Sequence, residues 1–130
     1  MSAYLSGLEG ADVEAVLKLF APSAMVHSPL YGPKLATDFY PALFADTSSS
    51  RLTLLGVMEG NTKQGAGLIS FWFHFDWKLP SGESAPFDVV DLAELSEDGR
   101  IAALRIVYDT VDVRPAFERE TGSSWRSSVD

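Results

Sequence analysis

The sequence contains no cysteine, only two histidines and fewer basic than acidic residues. Without cysteine the chain has neither a disulfide framework nor thiol chemistry. Ten Lys and Arg residues against 18 Asp and Glu residues give a net charge of −8, which argues against nucleic acid or an anionic membrane as a partner. The two histidines do not follow a metal-ligand spacing, and no glycine-rich loop could cradle a phosphate. We therefore expect no metal and no cofactor.

Long apolar runs and targeting signals are also missing. No stretch approaches the roughly 18 apolar residues that a membrane-spanning helix needs. The first residues lack the basic start and the apolar run of a secretion signal, so the expected location is the cytoplasm. With 130 residues, of which 46% are hydrophobic, the chain is predicted to form one domain over residues 1–130 with a sizeable core. Residues 115–130 are predicted to be a polar tail with at most one helical turn.

Short helices are predicted in the first third of the chain. Residues 3–9 form the first helix, and Asp12 caps a second one. Apolar residues recur at helical spacing over residues 13–20, and Pro22 is expected to end this helix. A third helix is predicted over residues 36–45, starting near Asp38 so that Pro41 falls within its first turn. Before it, residues 24–28 are strand-like and residues 30–34 are turn-rich.

The residues after the third helix have the sequence pattern of β-strands. Four are predicted, over residues 52–58, 68–78, 87–95 and 101–113. The second alternates strictly: its odd positions from Ile69 to Trp77 are apolar and mostly aromatic, and its even positions are largely polar. Such alternation places one face in the core and the other in water or at an interface. Short helices followed by strands joined through short turns predict an α+β fold, in which a curved, mostly antiparallel sheet wraps around the N-terminal helices.

One carboxylate, Asp91, lies in the middle of the third of these strands, among residues that read as core. A charge at such a position is costly unless it is paired or protonated. Desolvation would raise the pKa of this carboxyl. Asp91 is therefore either a functional acid or a structural acid that is hydrogen-bonded to a buried donor such as Tyr108.

Several stretches, taken in order, resemble a known family. They are residues 10–21, residues 24–29, Phe39-Tyr40 and the segment from Val90-Asp91 through Gly99-Arg-Ile101 to Tyr108-Asp109. The chain resembles the nuclear-transport-factor-2-like superfamily, a cystatin-like, cone-shaped α+β fold, over residues 3 to about 115. Within it the chain is similar to the SnoaL-like branch, whose relatives include polyketide cyclases and ketosteroid isomerases.

The resemblance to ketosteroid isomerases implies roles for individual residues. Those enzymes hold a dienolate oxygen with a tyrosine of the first helix and a protonated aspartic acid on a strand. The matching positions here are Tyr4 and Asp91. The catalytic base of the isomerases precedes a proline, and Ser28 occupies that position here, a residue that cannot act as the base unaided. His27 is adjacent, but neighbouring strand residues point to opposite faces, so it could replace the base only through a bulge.

The resemblance also implies an apolar pocket that contains the acid. Its expected catalytic residues are Asp91, Tyr108, Tyr4 and His27. Its expected lining residues are Ser28, Phe39, Phe71, Phe73, Phe75, Trp77, Val89, Ala93, Leu104 and Ile106. Such a pocket suits a small hydrophobic molecule with one carbonyl or hydroxyl group. Plain core packing remains the alternative for the aromatic residues.

Three functions follow from these expectations. The first is a cofactor-free isomerase, cyclase or dehydratase that acts on a hydrophobic carbonyl compound. The second is a non-catalytic module that binds a small hydrophobic ligand, and the third is a protein-interaction domain. The outer face of the sheet, with Trp72, Val90, Leu92 and Val107, is too apolar for full exposure, which predicts a homodimer packed through the sheets.

Overall fold

The computed structural model describes residues 2–126. Its helices and strands are α1 (Ser2–Glu9), α2 (Val13–Leu17), β1 (Phe20–Ser28), β2 (Gly32–Leu35), α3 (Ala36–Ala45), β3 (Ser49–Asn61), β4 (Gly67–Lys78), β5 (Phe87–Leu95), β6 (Ile101–Val107) and α4 (Arg114–Thr121). The bounds of β5 are those predicted from the sequence. No helix within residues 2–126 is long and apolar enough to cross a membrane.

The strands form one open, curved sheet in the order β2-β1-β6-β5-β4-β3. The pairs from β6 to β3 are antiparallel, as short turns between consecutive strands require. β1 pairs with β6 in parallel, which the long connection through α3 and the four strands β2 to β5 allows. The predicted α+β class is confirmed, with six strands in the sheet.

The start of the sheet differs from the prediction. The second helix ends at Leu17, and Phe20 belongs to β1 rather than to the helix. Pro22 lies inside β1, in a stretch where the register with β6 shifts between Phe20 and Met25. Proline is tolerated at such an irregularity because no ladder hydrogen bond is required of its nitrogen.

The segment between β1 and β3 also differs. Part of the predicted loop forms the short strand β2, which pairs with the end of β1. α3 begins at Ala36 and not near Asp38, so Pro41 lies inside the helix. Proline at this point removes one intrahelical bond of a ten-residue helix. Burial of Phe39, Tyr40 and Leu43 holds this helix against the sheet.

The C-terminal region is the largest correction. β6 ends at Val107 instead of continuing to residue 113, and a helix, α4, replaces most of the predicted polar tail. Its Phe117 is 3% exposed and lies 5.9 Å, centroid to centroid, from the indole of Trp77. Two residues of this polar segment, Ala116 and Phe117, are buried in the core, which its composition did not indicate. Residues 127–130 of the predicted tail lie outside the described residues.

The core fills the inner face of the sheet, as the alternation in β4 predicted. Phe71, Phe73, Phe75 and Trp77 are each at most 7% exposed, and successive rings lie 5.9–6.4 Å apart. On the opposite face Trp72 is 44% exposed. The register of β5 with β4 and β6 places Asp91 beside Phe71 and Ile106, so these residues lie on the same inner face as the aromatic row.

Candidate functional site

Asp91 lies at the centre of the inner face, as its position in the sequence suggested. It is opposite Phe71 of β4 and Ile106 of β6. Its side chain is 1% exposed, and its Oδ1 atom has no hydrogen-bond partner among the described residues. A buried, unpaired carboxyl oxygen is rare in a native core and requires an explanation.

Two buried tyrosines stand beside this acid. The hydroxyl groups of Tyr4, from α1, and Tyr40, from α3, are 2.8 Å apart and hydrogen-bonded. Burial raises the pKa of both phenols well above the usual range, and the nearby Asp91 carboxyl adds to the shift. Both phenols therefore stay neutral and can donate a proton in a hydrogen bond.

The protonation state of Asp91 follows from this environment. Burial raises the pKa of the Asp91 carboxyl well above its usual range, and the hydrogen bond with the Tyr4 side chain lowers it in part. Desolvation dominates because the nearest polar groups are neutral phenols rather than cations. Asp91 is consequently a hydrogen-bond donor over a wider pH range than an exposed aspartate, whose pKa is about 3.9.

A small cavity of about 40 Å³ opens next to Asp91. Its lining is apolar and aromatic apart from the acid, Ser28 and the tyrosine hydroxyls. It is lined by Tyr4, Leu8, Ser28, Leu30, Tyr31, Phe39, Leu43, Phe73, Phe75, Trp77, Phe87, Val89, Asp91, Ile106 and Tyr108. One water needs roughly 10–15 Å³ of such space, so the cavity has room for about three waters. A ring-sized ligand requires at least one of the lining side chains to move.

Tyr108 and Phe87 form a partly buried section of this lining. Their rings lie 4.2 Å apart, centroid to centroid. Burial raises the pKa of the Tyr108 phenol, while the positive charge of Arg114 and a hydrogen bond with Ser28 lower it. Tyr108 follows directly after the end of β6, where the backbone is no longer held by the sheet.

Ser28 is held by the turn that follows β1. Its Oγ atom accepts hydrogen bonds from the backbone N–H groups of Leu30 and Tyr31, each at 3.2 Å. This arrangement fixes the sharp turn after Ser28 and explains why a short hydroxyl side chain suits the position. The serine is therefore a wall of the cavity and a turn residue.

Most of the predicted site residues meet at this cavity. Asp91, Tyr108, Tyr4 and seven of the ten predicted lining residues contact it. Phe71, Ala93 and Leu104 are not part of its lining: they are buried in the core, at most 2% exposed. An inward direction alone does not distinguish a filled from a hollow part of the core.

His27 is also not at the cavity. It lies on the other face of β1 from Val26 and Ser28, as strand alternation dictates, and no bulge re-aims it: residues 25–27 are in continuous register with β6. The condition for a catalytic His27 is not met in this structure.

Several residues of the site escaped the sequence analysis. Tyr40 completes the phenol pair, and the cavity wall includes Leu8, Leu30, Tyr31 and Leu43. Tyr40 could have been found, since an aromatic residue with a hydroxyl in the middle of a buried helix needs a partner. The others come from helices and a loop whose approach to Asp91 depends on tertiary packing.

No group of three or more His, Asp or Glu side chains within residues 2–126 is arranged to hold a metal ion. Asp91 is the one carboxylate of the described cavity lining, and no histidine contributes to that lining. The arrangement supplies neutral hydrogen-bond donors to an apolar space, which is the chemistry of oxyanion stabilisation.

Comparison with known proteins gives both a family and structural neighbours. The family model of the SnoaL-like domain matches residues 1–104. TerC, co-crystallised with polyporic acid, has a TM-score of 0.70 at 20% identity over 94% of this chain and 95% of that one. An NTF2-like protein of unknown function from Exiguobacterium sp. 255-15 has a TM-score of 0.68 at 19% identity, covering 83% and 96%. SalBIII, an epoxide hydrolase/cyclase-like enzyme of pyran ring formation in the polyether salinomycin, has a TM-score of 0.68 at 13% identity, covering 85% and 88%. At these identities the neighbours establish the fold alone.

Proposed function

This chain belongs to the SnoaL-like domain family, and we propose that its cavity binds a small hydrophobic carbonyl compound on which Asp91 acts as an acid. The proposed activity is a cofactor-free isomerisation, cyclisation or dehydration. Asp91 donates a hydrogen bond to the ligand oxygen, and Tyr4 supports the acid. Tyr108 is the second donor at the cavity wall.

The observation that carries the proposal is the unpaired Oδ1 atom of Asp91. An acid that served the fold alone would be expected to use both oxygens in hydrogen bonds within the core. Here one oxygen is left without a partner in an acid that lines an apolar cavity. A ligand carbonyl supplies the missing partner, because a protonated carboxyl group can donate to it.

The same geometry gives the chemical role. When negative charge develops on the ligand oxygen, a preorganised donor in a dry site stabilises that charge more than water does. Loss of one such donor typically lowers kcat by about 100-fold to 1000-fold. The proton acceptor in the reaction is then a water molecule or a group of the substrate, since the described cavity lining contains no second carboxylate and no imidazole.

Two structural neighbours support this reaction class by analogy. SalBIII is described as an epoxide hydrolase/cyclase-like enzyme, and TerC was crystallised with polyporic acid. A fold shared with such proteins favours a small-molecule cavity over other uses of the interior, although fold alone does not determine reaction type.

A binding module without catalytic activity is the second candidate. The absence of a base from the described lining favours it, because an acid alone suffices to orient a carbonyl or hydroxyl group. In this case Asp91 contributes specificity for an oxygen atom, and the bound molecule leaves unchanged.

The first experiment measures binding of 2-naphthol, a flat neutral phenol, by fluorescence titration of the wild type, Asp91→Asn and Asp91→Leu. We expect binding to the wild type and a clear loss in Asp91→Leu, which has no polar group for the ligand hydroxyl. Absence of binding to the wild type would mean that the aromatic interior is a closed core, and both candidates would be wrong.

The second experiment separates catalysis from binding. The wild type and Asp91→Asn are incubated with β-hydroxy ketones and α,β-unsaturated ketones that carry one or two rings, and products are followed by mass spectrometry. The enzyme proposal expects turnover that falls by roughly 100-fold or more in Asp91→Asn. Compounds that bind but are recovered unaltered from the wild type support the binding module.

We also propose that the chain forms a homodimer through the outer face of the sheet. Trp72 and Val107 on this side are 44% and 49% exposed and both lie beside Val90, and contiguous exposed apolar residues commonly mark a partner surface. A second copy offers the same residues in return, as a two-fold interface requires. Light scattering at micromolar concentration should give a dimer mass for the wild type and a monomer mass for Trp72→Glu. A monomeric wild type would contradict the proposal.

A further inference from the structure

A second, larger cleft adjoins the cavity of Asp91. It has a volume of about 550 Å³ and shares three lining residues, Ser28, Ile106 and Tyr108, with the inner cavity. It lies where β1 and β6 end and is bordered by the C-terminal segment that follows α4. Tyr108 therefore separates the outer cleft from the space next to the acid.

The charged groups of this cleft are of one sign. The charged side chains that line it are Arg105 and Arg126, and no Asp or Glu of the described residues lines it; the His27 imidazole also contributes to the lining. In a protein with 18 acidic and ten basic residues, a concave surface without a carboxylate is unexpected from composition alone. The positive charge of Arg114 also acts on Tyr108 at the same place.

Neither cleft arginine forms an ion pair with an acid among residues 2–126. The ion pairs within residues 2–126 join other groups: His74 with Asp88, Arg100 with Asp98, and Arg119 with Glu83. Arg105 shares a smaller depression on its other side with Glu94 without forming an ion pair.

The wall of the cleft that carries Arg126 is anchored in the fold. The guanidinium group of Arg126 lies 4.2 Å from the centroid of the Trp125 ring. The backbone N–H of Trp125 donates to the carbonyl oxygen of Leu30 at 2.8 Å, and the guanidinium group of Arg114 donates to the carbonyl oxygens of Trp125 and Pro29.

Close packing fixes the indole as well. Gly32 contacts the Trp125 ring so closely that a Cβ atom there would lie 2.6 Å from Cδ1. The cleft thus combines a fixed aromatic surface with two guanidinium groups, which suits a flat anion because arginine pairs with carboxylates through two parallel hydrogen bonds.

We propose that the outer cleft is an anion-binding subsite, and that the ligand is an apolar, ring-bearing molecule with a carboxylate. Its apolar end passes Tyr108 into the inner cavity, and its carboxylate stays in the outer cleft with Arg105 and Arg126. This proposal rests on the proposed function for its inner half, and it adds the anionic group to the ligand class.

The test compares two probes that differ by one carboxylate, 2-naphthol and 6-hydroxy-2-naphthoate, by fluorescence titration at low and high salt. We expect the naphthoate to bind the wild type roughly tenfold to hundredfold more tightly than the naphthol, as charge-assisted hydrogen bonds allow. Added salt should reduce this advantage, because the cleft is open to solvent and its charges are screened.

Variants assign the effect to the cleft. Arg105→Gln and Arg126→Gln should each weaken naphthoate binding and leave naphthol binding within about twofold. Arg51→Gln is the matched control: it removes the same charge from an exposed position on β3, away from the cleft, and should leave both probes unaffected.

The outcomes distinguish the two proposals. Equal affinity for both probes would overturn the anionic subsite while the proposed function stands. A naphthoate advantage that persists in both cleft variants would overturn it too, because the carboxylate would then bind elsewhere. Binding of the naphthoate alone, lost in the cleft variants, would support the subsite and count against the neutral inner cavity. Failure of both probes would overturn both proposals.

Discussion

Asp91 should make the stability of the protein depend on pH, and the substitution Asp91→Asn should remove this contribution. The Asp91 carboxyl is 1% exposed, and burial raises its pKa well above the usual range in the folded state. In the unfolded chain its pKa returns to about 3.9. Between these two values the folded state holds a proton that the unfolded state has released.

The sign and the size follow from proton linkage. Because the folded state binds more protons, the free energy of unfolding falls as pH rises, by about 1.4 kcal/mol for each pH unit. The fall begins near the unfolded-state pKa of about 3.9 and ends at the raised pKa of the folded state. Below this window the acid is neutral in both states and its contribution is complete. Asparagine cannot ionise, so the variant lacks this slope.

The assay is urea denaturation of the wild type and Asp91→Asn at intervals from about pH 5 to about pH 8, with the difference in unfolding free energy plotted against pH. The slope of this difference is the measured quantity, so a constant cost of placing an amide in the core does not affect it. Asp91→Leu should show the same slope with a different offset. Asp76→Asn is the control, since Asp76 is exposed on the outer face of β4.

A difference that stays constant across this pH range for both Asp91 variants would refute the reasoning. It would mean that the carboxyl ionises in the folded state at an ordinary pKa, so the acid would be paired or hydrated. The same outcome would remove the neutral donor on which the proposed function depends.

Three further predictions concern the surroundings of the site. Tyr40→Phe should lower the unfolding free energy by about 1–3 kcal/mol in a denaturation assay, because the Tyr4 hydroxyl loses its partner at 2.8 Å in the core. Phe117→Ala should cost about 3–5 kcal/mol in the same assay, since the ring is 3% exposed and packs on the inner-face aromatic residues. Gly32→Ala should destabilise the protein and displace the indole of Trp125, because its φ of +77° is strained for alanine and the new Cβ would overlap that ring; denaturation and tryptophan fluorescence report the two effects.

Each of these predictions has its own control. A double-mutant cycle with Tyr4→Phe should show coupling to Tyr40→Phe, and additive losses would contradict the hydrogen bond. For Phe117, the control is Val111→Ala at a side chain that is 67% exposed; equal losses would mean that α4 is not part of the core. For Gly32, the control is Gly99→Ala, because Gly99 also has a positive φ of 85° but a Cβ atom there would meet no atom within 4 Å. Equal losses of unfolding free energy in the two variants would mean that backbone strain alone explains the effect and that overlap with Trp125 contributes nothing.

Much of the fold could be predicted because periodicity is a local property. The alternation from Ile69 to Trp77 placed the aromatic residues on the inner face, and the limits of β5 came from an apolar run between turns. The parallel pairing of β1 with β6 could not be predicted this way, since the partners are separated by more than 70 positions in the sequence. The same holds for α4, whose polar composition gave no indication that Phe117 enters the core.

The candidate site shows the same division. A carboxylate in the middle of an apolar strand identified Asp91 from composition and pattern alone, because a buried charge is costly wherever the strand lies. The face of His27 was also set by strand alternation. Side-chain packing decides which inward residues enclose space and which fill it, and the inward Phe71, Ala93 and Leu104 are not among the residues that line the cavity.

The sequence by itself determined the α+β class, the inner face of the sheet and the central acid, since each follows from the types and spacing of neighbouring residues. The tertiary structure decided what surrounds that acid: the phenol pair of Tyr4 and Tyr40, the unpaired Oδ1 atom, and the acid-free cleft beyond Tyr108. These features join residues from helices, strands and the C-terminal segment. Their distances are set by long-range packing, which local sequence patterns do not encode.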